Sequence, residues 1–364
     1  MVTPWRGARR VAVVPVFDRN VDRIPPPADW DYQVRARTLH EPDPASGEDG
    51  SFQNYLQAVS SGTAFLEAEF FPRVVADDAD VLGAAARSLP SGHGHTHLLA
   101  VLPHSFGQHR GGFAQWGLSP VNGITAMSRV ALFDNPQLTL RQPIGVWAME
   151  LFHAITGLGD LYNVNPALGP YDVMSSAGAT THPSAHTKNL FGWLPRAAFI
   201  EHGSGRRSYQ LQAIAMPQPA PPGQASAVRV SSRTSHTHFV IESRRRVDAY
   251  ERQDGTFDGI PREGVIVYEV ETDTRVFLRT SAALSDGQSY SNPAEGLTVR
   301  VTSTRTDGHT VQVDRAASPQ CPALEQAIEL LQESVREERD PFVRRLLLQE
   351  LARKRAEARR LGCR

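Results

Sequence analysis

Residues 145–160 read GVWAMELFHAITGLGD, and within them Glu150, His153 and Asp160 are the side chains best suited to chemistry. Set beneath the zinc-binding pattern H-E-x-x-H-x-x-G-x-x-D, Glu150, His153, Gly157 and Asp160 fall in register, while Met149 takes the place of the first histidine. The spacing has a physical basis. Positions 149 and 153 lie one helical turn apart on one face, so two imidazoles there would share a metal ion. Glycine at 157 lets the chain leave the helix through a backbone conformation closed to most side chains, and the chain can then turn back to present residue 160 as third ligand. A carboxylate at 150 would stand beside a metal-bound water as general base. With Met149 the donors fall to His153 and Asp160, because a thioether is a poor zinc ligand and prefers soft ions such as Cu(I). A methionine beside Trp147 and Phe152 on a buried helix also serves simply to fill the core.

The elements that must position these groups are legible along the chain. Its 364 residues are 40% hydrophobic and 21% charged, the proportions of an ordinary globular protein with two or three domains. The formal net charge of −1 gives no reason to expect nucleic acid or an anionic membrane as partner. No run of about 18 apolar residues is present, so no transmembrane helix is expected. The N-terminal apolar run, residues 11–17, is short and contains Pro15, and it is expected to be a core strand rather than an export signal. Residues 51–60 have helical spacing; residues 64–70, 97–102 and 128–133 have strand character. Residues 141–156 are the strongest helix, opened by Pro143 at an N1-like position and closed by Gly157. From about residue 199 to 317 short alternating strands follow, with Thr306-Asp307-Gly308-His309 expected to make a type I′ hairpin and the whole expected to be an all-β sandwich. Residues 318–364 read as a helical hairpin broken at Asp340-Pro341, with stripes Leu324, Ile328, Leu331, Val335 and Val343, Leu347, Leu351, Ala358. Its first helix is acidic and its second basic. An antiparallel hairpin would bring Cys321 near Cys363, and a disulfide and two separate thiols remain equally open.

Beyond the helix, Asp160-Leu161-Tyr162 is followed by Tyr171-Asp172-Val173-Met174-Ser175, then by Ala185-His186-Thr187-Lys188 running into Leu190-Phe191-Gly192-Trp193-Leu194. Upstream stand Phe17-Asp18 and Tyr55-Leu56-Gln57-Ala58-Val59-Ser60-Ser61-Gly62. This order resembles the immune inhibitor A family of secreted metallopeptidases, a zincin group with metzincin-like features, over roughly residues 10 to 315. The resemblance implies an α/β (α+β) zincin-like catalytic domain at residues 1–198, a β-sandwich at 199–317 and, outside the family pattern, the helical hairpin at 318–364. It implies Met174 in a turn beneath the metal, Glu150 as catalytic base, and His153 and Asp160 as metal ligands.

The departure at Met149 shapes the functional expectation. The degenerate motif predicts impaired or lost peptide-bond hydrolysis, in a chain that binds a peptide or protein as a pseudopeptidase. Two alternatives stand beside it: an active zinc endopeptidase with a donor recruited from His104 or His109, which the resemblance sets near the cleft, and another metal-dependent peptide modification on the same scaffold. Gly112, Phe113 and Ala114 are expected at an edge where a peptide adds as a strand. His93 and His95 read as solvated histidines of a glycine-rich surface loop. His182 and His186 read either as facing the site or as satisfying local backbone, and Lys188, one of two lysines, reads as a buried structural contact. Asp172, Asn163 and Asn165 form an oxygen-rich loop that would suit either calcium or turn formation. Localisation is open between cytoplasmic, from the N-terminus, and secreted, from the resemblance.

Overall fold

A computed structural model describes residues 2–20, 24–39, 50–76, 80–105, 112–117, 119–134, 141–252, 258–318, 320–361 and 363. The protein is mixed α/β with several sheets, and no helix among the described residues is long and apolar enough to cross a membrane. It gathers into two compact units. The first comprises Met1–Pro195, Ala215–Pro219 and Arg246–Pro261, and the second comprises Arg196–Ile214, Ala220–Arg245 and Arg262–Arg364. The helical tail thus clusters with the β-rich region, and two stretches downstream of residue 198 belong to the first unit.

In the first unit the elements run β1 (Gly7–Asp18), α1 (Trp30–Thr38), α2 (Phe52–Ser60), β2 (Ala64–Phe70), β3 (Val74–Ala76), α3 (Val81–Ser88), β4 (His97–His104), β5 (Phe113–Gln115), β6 (Ala126–Phe133), α4 (Ile144–Thr156) and α5 (Ala185–Leu190). The sheet order is β2-β1-β4-β6-β5, with β3 also on β1. β1, β2, β4 and β6 are parallel, while β5 runs antiparallel to β6 at the edge. The apolar run of β1 is buried on both faces, as a central parallel strand requires. One face, through Val14, Leu98 and Met127, packs on α3 residues Leu82 and Ala85. Phe152 of α4 meets Trp5, Phe52, Tyr55, Phe191 and Trp193 at ring-centroid separations of 5.2–6.5 Å. Emptying such an aromatic site costs about 3–5 kcal/mol.

Local capping sets the helix ends. Ser51 and Asp80 accept from the backbone of Asn54 and Gly83 at the starts of α2 and α3. Helix α4 begins later than its sequence suggests. Pro143 is its N-cap, because the Gln142 N–H is drawn to the Leu132 carbonyl and Arg141 bridges to Phe133. The segment Arg246–Pro261 belongs with this unit through Tyr250, whose ring stands edge-on to Tyr55 at 5.0 Å, and through Asp248, which pairs with His182.

The second unit holds β7 (Phe199–Glu201), β8 (Gly205–Gln212), β9 (Gln224–Ala225), β10 (Ala227–Ser231), β11 (His238–Arg244), β12 (Gly264–Val270), β13 (Val276–Leu278), β14 (Ser289–Asn292), β15 (Leu297–Arg305), β16 (Gly308–Arg315), α6 (Cys321–Glu337) and α7 (Pro341–Leu361). Its two sheets, β13-β12-β11-β10-β7 and β14-β15-β16-β8-β9, share one buried cluster that includes Val228, Ile241 and Val267 from one and Leu211, Val299 and Val311 from the other. The β15–β16 hairpin forms as expected, but its turn is not type I′. That type needs positive φ at both central residues, and Thr306 and Asp307 have none. A register shift between Val301 and Ser303 adds local twist in the same hairpin. In the tail, Leu324, Val335, Leu351 and Ala358 are buried as their stripes predict, whereas Val343 is exposed. Cys321 and Cys363 are joined by a disulfide, with Cα atoms 5.2 Å apart.

Candidate functional site

The site is built on the last two turns of α4 and the chain that leaves it. Gly157 caps the helix in the left-handed region at φ 73°, and the reversal brings Asp160 back to His153. The distance from His153 Nε2 to Asp160 Oδ1 is 2.9 Å. The other ring nitrogen, Nδ1, bonds the Leu158 carbonyl exposed by the same reversal. A carbonyl and an ionised carboxylate only accept, so this arrangement favours a proton on each ring nitrogen. Burial alone would lower the His153 pKa, but the bonds to Asp160 and Leu158, with the Glu150 charge, hold it above the ordinary imidazole value. Burial likewise works to raise Asp160, yet the bond to His153 leaves its pKa lowered.

Glu150 lies one turn earlier and is buried. Desolvation pushes its pKa up to about 7, with the Asp160 charge adding to the rise and the His153 and Arg129 cations opposing it. Beside it runs the backbone leading into β5. A Cβ added to Gly112 would lie 2.1 Å from Glu150 Cγ, so only glycine lets the edge strand pass this close. Arg129 of β6 is the register partner of Phe113 and holds its guanidinium 5.0 Å from that ring centroid. At Gly157 an added Cβ would meet Trp116 Cε2 at 2.8 Å, so the indole lies directly over the helix cap.

Three exposed aromatic rings accompany these groups: Phe113, Trp116 and Tyr162. Tyr162 is tied to Asp160 by a side-chain hydrogen bond. Desolvation and that bond push its phenol up to about 12. Tyr162, Trp116 and Arg129 were not singled out from the sequence as site residues. Tyr162 carried a local signal, two positions after Asp160. The placement of Trp116 and Arg129 depends on strand pairing that spacing does not reveal.

Met174 is buried and tied through its backbone to the chain that leaves α4. Its carbonyl accepts the Leu161 N–H at 3.0 Å, and its own N–H donates to Asp172 Oδ1 at 2.8 Å. Asp172 Oδ2 accepts from the Ser184 N–H and the Thr187 hydroxyl, so this buried carboxylate organises the turn, while Asn163 and Asn165 are exposed. His104 is buried at the end of β4 with its ring 5.7 Å from Phe133, and His109 lies outside the described residues. His95 is not solvated: it is buried, and its Nε2 bonds Glu69 at 2.7 Å. His182 sits between Asp248 and the buried Lys188.

A catalytic zinc centre uses three protein donors and one open position. His153 and Asp160 supply two converging donors, and Met149 occupies the third position as a buried thioether. Among the described residues no three His, Cys, Asp or Glu side chains form a metal-holding group. Among the described residues the donor set is one short of a catalytic zinc centre. What the site offers is an imidazolium–carboxylate pair beside a carboxyl poised near neutrality, next to a sheet edge. Compared with known proteins, the chain matches no family model and no curated sequence.

Proposed function

We propose that this chain is an immune inhibitor A-like pseudopeptidase: a zincin-like domain followed by a β-sandwich, binding an extended peptide without hydrolysing it. The observation that carries the reading is Met149, a buried thioether one turn before His153 on α4, at the position where the pattern has its first histidine. The peptide's place is the outer edge of β5, where Phe113 and Ala114 offer backbone groups for an added strand and Gly112 sets that strand against Glu150. Glu150, near neutrality, can donate to or accept from a peptide group. The Cys321–Cys363 bond suits a protein that matures in an oxidising compartment, in keeping with an exported family.

The test is zinc titration and a peptidase assay on the wild type and Met149→His, together with peptide titration followed by the fluorescence that Trp116→Phe removes. The wild type is expected to bind zinc at least 100-fold more weakly than Met149→His, to lack turnover and to bind peptide. Even the loss of outer-shell partners costs roughly 10–100-fold in metal affinity. Stoichiometric zinc with turnover in the wild type would overturn the proposal. It would favour the second reading, an active metallopeptidase with a recruited donor. One feature supports that reading: Nδ1 of His153 bonds a backbone carbonyl, the arrangement metal-ligating histidines commonly use.

A further inference from the structure

Five of the twelve large hydrophobic side chains exposed among the described residues lie between positions 330 and 348 of the tail hairpin. Scattered apolar residues on a surface need no explanation, but a cluster at one end of two paired helices does. On α7 Phe342 is 68% exposed and Leu346, one turn on, 50% exposed. They share a face with Arg345 and with Arg353, whose guanidinium also pairs with Glu350 one turn earlier on the same helix. On α6 Leu330 is 57% exposed, on a face with Glu333 and Glu337 one and two turns further. The disulfide end of the hairpin is different: there Leu324, Ala358 and Leu361 pack together with Ile328 and Cys363. The hairpin is therefore closed at one end and apolar on its outer faces at the other.

These outer faces are complementary to each other in charge. The α6 face is apolar with acidic flanks; the α7 face is apolar with basic flanks. Within one chain both point away from the helix–helix seam marked by Leu324, Val335, Leu351 and Ala358, so they cannot cover one another. A two-fold axis would let each α6 face meet the α7 face of another copy, twice over. We propose that the occupant is a second copy of this chain, the two hairpins forming a four-helix bundle in which Phe342 and Leu346 of each copy cover Leu330 of the other. Helices of 17 and 21 residues, about 25 and 31 Å long, suit such a bundle.

Sedimentation equilibrium of the full chain over a wide concentration range tests this. A monomer–dimer equilibrium that weakens with salt is expected, because the flanking charges are exposed and screened. Phe342→Glu/Leu346→Glu should weaken it at least tenfold, with the circular dichroism and melting of the wild type retained. Charge reversal gives a second arm independent of the apolar contact. Glu333→Arg/Glu337→Arg alone and Arg345→Glu/Arg353→Glu alone should each fail to dimerise, and mixing the two chains should restore a heterodimer. A wild type that stays monomeric at 50 mM salt overturns the proposal, as does a dimer indifferent to both sets of substitutions. Binding to phosphatidylserine vesicles that depends on Phe342 and Leu346, without dimerisation, also overturns it and assigns the face to a lipid surface.

Discussion

His153 Nε2 lies 2.9 Å from Asp160 Oδ1, while His153 Nδ1 is held by the Leu158 carbonyl. Seven residues apart in sequence, the two side chains meet only because Gly157 ends α4 in the left-handed region. The pair fixes the charge state of the site. With both nitrogens engaged and its pKa held above the ordinary imidazole value, the ring is suited to stabilise charge near Glu150 rather than to act as a base.

The His153 ring should therefore titrate above the ordinary imidazole range, and both of its N–H groups should be visible by nitrogen NMR at pH 6.5. Its contribution to stability is complete below the unfolded pKa and fades as pH rises through its own folded value. Asp160→Asn removes the ionised partner and should lower the ring pKa. A ring that stays neutral at pH 6 in the wild type would contradict the ion pair.

Glu150 makes the opposite kind of contribution. Its folded pKa of about 7 exceeds the 4.5 expected when unfolded, so between those values the folded state binds more protons. Stability must then fall as pH rises through that window, by at most about 3 kcal/mol once the group is fully ionised. Glu150→Gln keeps the shape and removes the titration. Chemical denaturation at pH 5 and pH 8 should show the wild type losing stability relative to the variant. Parallel pH profiles for the two proteins would rule the shift out.

How much of this was legible in advance depended on whether the cause was local. Alternation placed a strand at residues 64–70, and β2 occupies the same span. The i, i+4 relation of positions 149 and 153 and the role of Gly157 are also local, so the pairing of His153 with Asp160 could be anticipated. The three-residue strand β5 is too short to show a period, and only its pairing with β6 defines it. The burial of His95 depends on Glu69, 26 residues away, and the placement of Asp248 depends on His182, 66 residues away. Such through-space partners leave no periodic trace. The tail shows the limit from the other side: Val343 has the right spacing for the seam, yet in the first turn of α7 it stays exposed.

The buried group around Lys188 yields a third prediction. Its ammonium lies 3.0 Å from His182 Nδ1, and His182 Nε2 lies 2.6 Å from Asp248. The Lys188 charge helps His182 hold the Asp248 carboxyl below its ordinary pKa, against the effect of burial. Lys188→Met removes the buried cation that helps balance the part-buried Asp248 carboxylate through His182, at a cost of about 1–3 kcal/mol. Because the three residues lie in the first unit, its melting should shift down. Lys188→Met/Asp248→Asn, which removes both charges, should recover part of the loss. Equal melting of wild type and single variant would show that the ammonium does not stabilise the fold.

Finally, the Cys321–Cys363 bond closes the tail with a sequence separation of 42 residues. Constraining a loop of that size stabilises the folded form by roughly 4 kcal/mol on the chain-entropy account. The apolar contact it accompanies is small, with Leu324, Ala358 and Leu361 as its buried members. The hairpin should therefore depend heavily on the bond. Cys321→Ser, or reduction of the wild type, should raise hydrogen exchange along α6 and α7, while β10, β11 and β12 keep their protection. Unchanged exchange in α7 after reduction would mean that helix packing alone holds the hairpin closed.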